Sequence, residues 1–494
     1  MNADPLVLGL ALIGIVIIVS ALLSGLVDKS GLPHVAVFIF IGDALGPAGF
    51  GVLYMTLESS VLRVVAALSL TLVLFTDAVT LNTREVKRHA ALAFRMLGPG
   101  TILCAALTAL AAWWLLGIAP ASAAILGAAL ASTDPVLLRG LLQRRDISTQ
   151  TRQALRLESG LNDVVLLPIV VVAIALTGQH DSGSGGFAKM GFGLFILGPG
   201  AGIAIGLLAV AALDLIRKRF GVRRDYESLY SLGVAFTAFA AAEAVHGSGF
   251  LAAFAAGMTI AALDVELCDC FIEYGGVTAE MLLLFTFVIF GSSLIWTGFS
   301  EINTRTLIFV VFAILIRIPV YLVSLLGSSV DRRGRLVIAW FGPSGLSSLL
   351  LILLPVFAGV PGSDRLFRLC ALIVMISIVV HGASPMLFAR FSGKPEPEPV
   401  EPPAPEPVPV TESRSLPVVD SGEPVGAQTV TLDEVERLQK SGEKVILLDV
   451  RTERSRDTSD LEAEGSIRIV PENAVLQAQK LKVPKDAWLI AYCA

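Results

Sequence analysis

Charged residues are scarce in this sequence: Asp, Glu, Lys and Arg make up only 16% of its 494 residues. Cysteine is rarer still, with five residues scattered between Cys104 and Cys493, too few and too dispersed for a disulfide framework. The net charge of −5 gives no sign of a nucleic-acid partner. Hydrophobic residues make up 54%, and the mean hydropathy is +0.76. A water-soluble protein could not bury so much apolar surface, so the sequence predicts an integral membrane protein.

A helix needs roughly 20 apolar residues to cross the hydrocarbon core, and thirteen stretches of about that length can be placed along the chain, of which 249–263 is short for a full span. They are residues 5–26, 33–50, 59–80, 91–117, 121–140, 154–178, 187–216, 226–246, 249–263, 277–298, 304–328, 335–360 and 366–390. The first stretch is long enough to remain as a span, so no cleavable signal peptide is expected. The sequence therefore predicts an all-α polytopic membrane protein with about thirteen transmembrane helices.

The distribution of Lys and Arg supports this number of spans, because cytoplasmic loops are enriched in positive charge. With the N-terminus outside, twenty basic residues fall on the cytoplasmic side and five on the outer side. The twenty are Lys29, Arg84, Lys87, Arg88, Arg95, Arg139, Arg144, Arg145, Arg152, Arg156, Arg217, Lys218, Arg219, Arg223, Arg224, Arg332, Arg333, Arg335, Arg390 and Lys394. The five are Arg63, Lys189, Arg305, Arg365 and Arg368. We therefore expect a cell inner-membrane protein with its N-terminus outside and its C-terminus in the cytoplasm.

The composition changes abruptly after Arg390. Ten of the 25 prolines lie between Pro395 and Pro424, interleaved with glutamates, which is typical of an extended tether. Farther on, Thr431 can cap a helix, and the Val-Ile-Leu-Leu run at 445–448 is typical of a buried strand. The predicted domains are a transmembrane domain over 1–392, a linker over 393–425 and a small α/β fragment over 426–494.

The fifth predicted span is interrupted in mid-membrane by Thr133, Asp134 and Pro135. Pro135 lacks a backbone donor and disfavours helical backbone at Asp134, so the helix should break there. Unwound backbone at this depth is tolerated only beside a cavity or within protein. The pattern predicts a break that binds a cation. The simpler alternative is a proline kink whose Ser and Thr hydroxyls bond back to the helix.

The sixth predicted span carries polar side chains on one face. They are Glu158, Ser159, Asn162 and Asp163. They form two pairs with a spacing of four residues, so each pair spans one turn of the same face. Ionisable groups inside the membrane are costly and typically mark function. A span that began after Asp163 would keep only about 15 residues, which is short of the usual length. We therefore interpret this face as a proton- and cation-binding site.

A buried arginine in the eleventh predicted span needs a partner. Arg317 lies in the middle of an apolar run, and a buried guanidinium requires a carboxylate. Glu158 is the first candidate for this ion pair, and Asp134 is the second. The alternative, an arginine that reaches the membrane surface, fits poorly with its central position.

A second break lies in the twelfth predicted span, at Gly342 and Pro343. Paired interruptions in two halves of a transporter indicate inverted repeats with a binding site at the midplane. The repeats would be the first six and the last six spans. In this arrangement His381 of the last span corresponds to the polar face of the sixth, and a structural role is favoured for it.

These features resemble the signature of the monovalent cation:proton antiporter family, in its sodium/proton exchanger branch. The resemblance covers about residues 5–392 and rests on Ser-Thr-Asp-Pro at 132–135 followed by Glu-Ser-x-x-Asn-Asp at 158–163. A supporting match is Trp-Phe-Gly-Pro at 340–343. Ser344 is a departure, because similar members usually carry a basic residue at that place.

The resemblance implies a thirteen-helix fold with crossed, broken helices and a homodimer in the lipid bilayer. It also implies a sodium ion held by the Asp163 carboxylate, the Ser159 hydroxyl and backbone oxygen at Thr133. Glu158 would lie nearby and pair with Arg317. Such a protein would serve pH and cation homeostasis.

A single carboxylate that can bind either a proton or a cation would couple the transport of the two ions. Asp163 can hold a proton or a bare cation but not both, and hard oxygen ligands suit a small cation. Asn162 is neutral, and Glu158 is expected to stay charged beside Arg317, so one proton replaces one cation. We expect electroneutral exchange of Na⁺ for H⁺ without a cofactor, with K⁺ or Li⁺ as alternative cations.

Two other classes of protein remain open. A cation channel would use rings of carbonyls or charges, whereas paired broken helices within one chain favour a carrier. A sulfurtransferase is suggested because residues 445–494 resemble the start of a rhodanese domain, through Leu-Asp-Val-Arg at 448–451 and through Cys493. The sequence stops one residue after that cysteine, so the rhodanese-like tail is expected to be inactive and the protein to be a transporter rather than an enzyme.

Overall fold

The structure is a computed structural model that describes residues 34–81, 89–142, 147–177, 191–220, 224–263, 269–391, 444–450, 466–468 and 488–492, with isolated positions at 14, 18 and 435. Backbone contacts divide the chain into two compact units, Met1–Gly393 and Lys394–Ala494. The described residues of the first unit are mostly helical, and those of the second form a small sheet.

Among the described residues of the first unit, the α-helices are α1 (His34–Leu45), α2 (Ser60–Thr80), α3 (Ala90–Arg95), α4 (Leu103–Leu116), α5 (Pro120–Ala131), α6 (Pro135–Leu142), α7 (Thr149–Thr177), α8 (Gly198–Phe220), α9 (Arg224–Ala244), α10 (Gly249–Ala262), α11 (Asp269–Ile289), α12 (Thr304–Leu315), α13 (Arg317–Ser324), α14 (Arg332–Trp340), α15 (Leu346–Phe357) and α16 (Ser363–Phe391). Three π-helical segments continue neighbouring α-helices: Met96–Ile102, Gly193–Leu197 and Phe290–Leu294. A 3₁₀ helix, Ile295–Glu301, follows the last of them.

Seven helical stretches among the described residues are long and apolar enough to cross a membrane. They are Ser60–Thr80, Ala90–Leu116, Thr149–Thr177, Gly193–Ile216, Met281–Glu301, Thr304–Ser324 and Ser363–Gly382. Shorter apolar helices accompany them, and together these elements make a multi-pass membrane protein. The second to thirteenth predicted spans coincide with these helices, although α11 begins at Asp269, before the predicted start at 277. The first predicted span lies outside the described residues except at positions 14 and 18, so the number thirteen stays a prediction.

The fifth and twelfth predicted spans are each broken in the middle. α5 ends at Ala131 and α6 begins at Pro135, whose missing N–H is harmless at the first position of a helix. α14 ends at Trp340 and α15 begins at Leu346, with Pro343 between them. Because proline cannot donate a hydrogen bond and disfavours helical backbone before it, both interruptions fall where these prolines place them.

The two breaks lie against each other. The Asp134 N–H donates to the Pro343 carbonyl at 2.9 Å, so the backbone of one break pairs with the backbone of the other. The Leu346 N–H, in the first turn of α15, donates to the Asp134 carboxylate at 2.7 Å. The positive end of the α15 macrodipole stabilises an acidic group at this position. The crossing is thus held by the main chain and by one buried acidic side chain.

Helix α7 carries the predicted polar face past this crossing. It packs against α5, α14 and α15. Its buried polar residues include Glu158, Ser159, Asn162 and Asp163. A buried apolar cluster that includes Met96, Leu155 and Tyr321 packs around the neighbouring part of α7, and this cluster is separate from the main core. The polar face is therefore enclosed by protein in the described part of the chain.

The 3₁₀ helix packs along α16. Gly298 permits the close approach, because a side chain there would collide with the backbone of Leu372 and Arg368. Glu301 accepts hydrogen bonds from Arg368 at 2.8 Å and from Arg365 at 3.4 Å. The two arginine side chains are 33% and 45% exposed, so this pairing is of the weakly stabilising surface kind.

In the second unit, the described residues form a three-stranded parallel sheet. Strand β1 (Val445–Asp449) lies between β2 (Ile467–Arg468) and β3 (Trp488–Tyr492). The predicted linker, the helix cap at Thr431 and Cys493 lie outside the described residues. The rhodanese-like assignment of this fragment therefore stays a prediction.

Substitution Gly345→Ala tests how tightly the two breaks cross. A Cβ at Gly345 would collide with the Asp134 carboxylate, which the Leu346 N–H holds in place. We expect a loss of stability of about 1–3 kcal/mol, as overpacking of a tight core causes, seen as a lower midpoint of thermal unfolding in detergent. Gly200→Ala in α8 is the control, because a Cβ there meets no atom within 4 Å. An equal loss in both variants would contradict the close crossing.

Candidate functional site

Asp163 lies on α7 beside the first break, and only 4% of its surface is exposed. The Ser132 hydroxyl donates to Asp163 Oδ1 at 2.5 Å, and Ser132 directly follows the last residue of α5. Within the described part of the chain, no Lys or Arg side chain forms a salt bridge with Asp163. Asp163 is therefore a buried carboxylate that is bound by a neutral group and left without a cationic partner.

Thr133 links the break to two residues of α7. Asn162 Nδ2 donates to Thr133 Oγ1 at 2.6 Å and, less closely, to the Thr133 carbonyl at 3.4 Å. Thr133 Oγ1 in turn donates to Glu158 Oε1 at 3.2 Å. Asn162 Oδ1 is buried and has no hydrogen-bond partner among the described residues. Buried acceptors are rarely left unsatisfied, so this oxygen is available to a ligand beside Asp163.

Glu158 and Arg317 form a buried, two-pronged ion pair. The Arg317 Nη1 and Nη2 atoms donate to Glu158 Oε1 and Oε2 at 3.0 and 2.8 Å. Glu158 is fully buried and Arg317 is 8% exposed. The Tyr321 hydroxyl donates to Glu158 Oε1 at 3.1 Å. This planar fork is the geometry in which arginine and carboxylate bind each other best, and it leaves Glu158 tied to the structure.

Arg317 also serves the second break. Its Nε and Nη2 atoms donate to the Ile338 carbonyl at 3.3 and 3.2 Å, in the last turn of α14. A cation at the C-terminal end of a helix is favoured by the macrodipole. Gly342 makes room for this contact, because a Cβ there would collide with the Arg317 guanidinium. One side chain therefore joins α7 to the broken twelfth span.

Serine hydroxyls satisfy the carbonyls that the first break leaves free. The Ser344 hydroxyl donates to the Leu130 carbonyl at 3.0 Å, near the end of α5. The Ser348 hydroxyl donates to the Ser132 carbonyl at 3.2 Å. Both serines come from the second break or the start of α15, so each broken span helps to satisfy the other. At Ser344, a neutral group therefore meets the end of α5.

A cavity lies on the Arg317 side of the crossing. Its polar lining includes Cys104, Thr108, Thr133, Arg317, Ser344 and His381. His381 Nδ1 lies 3.0 Å from Ser377 Oγ, which also accepts a hydrogen bond from the Ser344 N–H at 3.0 Å. His381 is thus linked through Ser377 to the second break, and its structural role stays a prediction.

The structure places most of the predicted site residues around the two breaks. These residues are Thr133, Asp134, Pro135, Glu158, Asn162, Asp163, Arg317, Gly342 and Pro343. Ser159 lies on the same helix, but its hydroxyl donates to the Arg156 carbonyl at 3.4 Å instead of to Asp163. Ser132 makes the contact with Asp163. Helical periodicity could not reveal that contact, because Ser132 lies in unwound backbone.

Tyr321 is a second contact that the sequence analysis did not identify. Its spacing of four residues from Arg317 places both side chains on one face of α13, and that spacing was the available signal. The Arg317 guanidinium lies 3.9 Å from the centre of the Tyr321 ring. Arg317 and Tyr321 therefore both donate to Glu158 from the same face of α13.

Comparison with known proteins finds related sequences over most of the chain. The family described as "Sodium/hydrogen exchanger, transmembrane" matches residues 15–389. The K(+)/H(+) antiporter NhaP2 of Shewanella sp. (strain MR-4) is 27% identical over 393 residues, which cover 77% of this chain and 67% of the relative. The K(+)/H(+) antiporter NhaP of Alkalimonas amylolytica is 24% identical over 387 residues, which cover 78% and 67%.

A solved structure shares the fold. The sodium proton antiporter MjNhaP1 from Methanocaldococcus jannaschii, determined at pH 8, superposes with a TM-score of 0.62 and 19% sequence identity. The match covers 78% of this chain and 98% of the other. The helical architecture described above is therefore an antiporter fold.

Substitution Glu158→Gln should destabilise the protein strongly. It leaves the buried Arg317 guanidinium without a counter-charge, and breaking a buried ion pair typically costs about 3–5 kcal/mol. The measurement is the midpoint of thermal unfolding of the purified protein. Glu301→Gln is the matched control, since its pair with Arg368 is partly exposed and should be worth about 0–1 kcal/mol.

A double variant separates charge from packing. Glu158→Leu combined with Arg317→Met removes both charges and should recover part of the loss seen in Glu158→Gln. If Glu158→Gln unfolded at the wild-type temperature, the ion pair would not have the role described here.

Proposed function

The chain belongs to the sodium/hydrogen exchanger family, and we propose that it exchanges one sodium ion for one proton at Asp163. The protein is a monovalent cation/proton exchanger; the ion and the coupling ratio are inferred from the geometry of one carboxylate. The observation that carries this inference is the isolation of Asp163, which is buried, contacts the Ser132 hydroxyl and forms no salt bridge within the described residues.

A buried carboxylate without a cationic partner needs a bound ion that balances its negative charge. Leaving it charged at membrane depth is costly, and binding either a proton or a cation removes that cost. The same oxygens cannot hold both guests at once. If the site crosses between the two faces of the membrane only when Asp163 is neutralised, a cation moving one way requires a proton moving the other way.

We infer that the cation would be bound by neighbouring oxygens together with this carboxylate. The Thr133 carbonyl belongs to unwound backbone, and Asn162 Oδ1 lacks a partner among the described residues. The Ser159 hydroxyl completes the proposed set once it turns from the Arg156 carbonyl towards Asp163. Hard oxygen ligands of this kind suit a small, hard cation such as sodium.

The coupling ratio follows from what the other carboxylates do. Glu158 is occupied by Arg317 at 2.8 Å, and Asp134 accepts the Leu346 N–H at 2.7 Å. Asn162 carries no charge. Of these four residues, Asp163 is then the one whose bound ion changes during transport. One proton replaces one cation, so no net charge crosses the membrane.

Alternating access would move this site between the two membrane faces. Paired breaks in the fifth and twelfth spans support two inverted repeats around a midplane site. The excess of Lys and Arg in alternate loops supports an N-terminus outside and a C-terminus in the cytoplasm of a cell inner-membrane protein. Family resemblance supports a homodimer.

Potassium is the second candidate cation. The relatives from Shewanella and Alkalimonas are named K(+)/H(+) antiporters. Oxygen ligands suit both sodium and potassium, so the transport assay distinguishes between the two ions.

Substitution Asp163→Asn should abolish exchange. The expected signal in wild type is a change of interior pH in everted membrane vesicles after NaCl is added, with KCl and LiCl added in parallel. Asp163→Asn should respond like vesicles that lack the protein, because a neutral amide takes up no proton and has no negative charge with which to bind a cation. Asp364→Asn, an exposed acidic residue at the start of α16, is the control and should transport normally. Equal signals from wild type and Asp163→Asn would exclude Asp163 as the transport site.

Exchange should be independent of membrane potential. In proteoliposomes with a fixed pH gradient, a potential set by valinomycin and potassium should leave the initial rate of sodium uptake unchanged, because no net charge crosses. A rate that changes with the potential would exclude one-for-one exchange.

A further inference from the structure

One oxygen of Glu158 is shared by three side chains from different elements. Thr133 Oγ1 donates to Glu158 Oε1 at 3.2 Å, Arg317 Nη1 at 3.0 Å and the Tyr321 hydroxyl at 3.1 Å. The other oxygen of Glu158 accepts from Arg317 alone in the described structure. The position of Glu158 Oε1 therefore depends on the first break, through Thr133, and on α13, through Tyr321.

The direction of the hydrogen bond between Tyr321 and Glu158 is fixed by proton counting. The Tyr321 hydroxyl lies 3.1 Å from Glu158 Oε1 and 3.1 Å from Thr101 Oγ1. An ionised carboxylate can only accept, so the single proton of Tyr321 goes to Glu158. Thr101 has one proton for two acceptors, the Tyr321 oxygen and the Met96 carbonyl, which lies 3.2 Å from Thr101 Oγ1. Tyr321 therefore donates to Glu158 with Thr101 as its hydrogen-bonding neighbour.

A local irregularity in the backbone makes room for this tyrosine. Thr101 belongs to the π-helical segment Met96–Ile102, and Gly100 precedes it. A Cβ at Gly100 would lie 3.2 Å from the Tyr321 ring, closer than an ordinary contact. Tyr321 itself is fully buried, and single-turn π-helical segments frequently occur at functional sites. The fourth span is thus shaped around a residue that does not itself contact Asp163 in the described structure.

We propose that Tyr321 is a positioning residue for the transport site, because its hydroxyl fixes Glu158 Oε1 and thereby holds Thr133 at the first break. The inference rests on the proposed function, in which the Thr133 carbonyl and the Asp163 carboxylate bind the cation. Glu158 and Thr133 share one hydrogen bond, so a shift of the Glu158 oxygen moves the Thr133 side chain. Asn162 donates to that same side chain at 2.6 Å, and the shift therefore reaches Thr133 and Asn162, two residues of the proposed site.

The experiment is a comparison of Na⁺ KM and maximal rate for wild type and Tyr321→Phe in proteoliposomes. Rates are expressed per folded protein, counted from the monodisperse peak in size-exclusion chromatography. Phenylalanine keeps the ring and removes the hydroxyl. We expect the KM for Na⁺ to rise about tenfold, the factor that one hydrogen bond to a charged group typically represents, while the maximal rate stays within about twofold. A residue that only supports folding would lower the amount of active protein and leave KM unchanged.

Tyr230→Phe is the matched control. The Tyr230 hydroxyl also makes a hydrogen bond within the membrane domain, to the Ala209 carbonyl at 2.9 Å, but it lies on α9 and takes no part in the site. Its KM should equal that of wild type. Thr101→Val is a second variant, which keeps the Tyr321 hydroxyl and removes the hydroxyl that lies 3.1 Å from it. It should raise KM in the same direction by a smaller factor.

The outcomes separate this inference from the proposed function. If wild type transports Na⁺ and Asp163→Asn does not, the proposed function stands. An unchanged KM in Tyr321→Phe would then overturn the positioning role alone, and so would an equal rise in Tyr230→Phe. If Tyr321→Phe yields no folded protein, Thr101→Val decides: a raised KM supports the role and a wild-type KM overturns it. If wild type moves no cation against protons, the proposed function itself fails.

Discussion

Two broken spans leave peptide groups in mid-membrane without hydrogen-bond partners in their own helices, and lipid cannot provide such partners. The residues of the site supply these hydrogen bonds. Each unsatisfied backbone group costs several kcal/mol in a bilayer, so a break survives only where protein supplies partners. The Asp134 N–H pairs with the Pro343 carbonyl, and the Ser132 carbonyl accepts from Ser348. Because the partners of each break come largely from the other, neither break would be stable without the crossing.

The charges at the crossing divide into structural and free groups. The side chain of Arg317 contacts the C-terminal end of α14, and the side chain of Asp134 contacts the N-terminal end of α15. The helix dipoles favour a positive charge at the first of these positions and a negative charge at the second. Glu158 balances the charge of Arg317 at 2.8 Å. Asp163 is different, because Ser132 offers it a hydroxyl and the described residues give it no salt bridge. Among the described residues at the crossing, Asp163 is thus the carboxylate whose charge no salt bridge balances.

Local rules were enough to predict where the helices break and which face of α7 is polar. Pro135 and Pro343 act on the residues beside them, and the spacing of Glu158 and Asp163 follows from helical geometry. The same rules could not predict that Ser132 contacts Asp163, because side chains in unwound backbone follow no period. The contact of Tyr321 with Glu158 was also beyond them, since it depends on how α13 meets α7 in three dimensions. The hydrogen bond from the Ser159 hydroxyl to the Arg156 carbonyl of its own helix is a third contact that these rules could not predict.

The network around Glu158 also constrains which parts can move during transport. Separating Glu158 from Arg317 would strand a buried charge, at a cost of about 3–5 kcal/mol. Thr133 binds the same carboxylate, and the two breaks are joined through Asp134 and Pro343. A transport cycle that pulled these elements apart would incur this cost at every turnover. Alternating access is therefore cheapest when α7, α13 and both breaks move together as one rigid piece, with the rearrangement taking place at its contacts with the remaining helices.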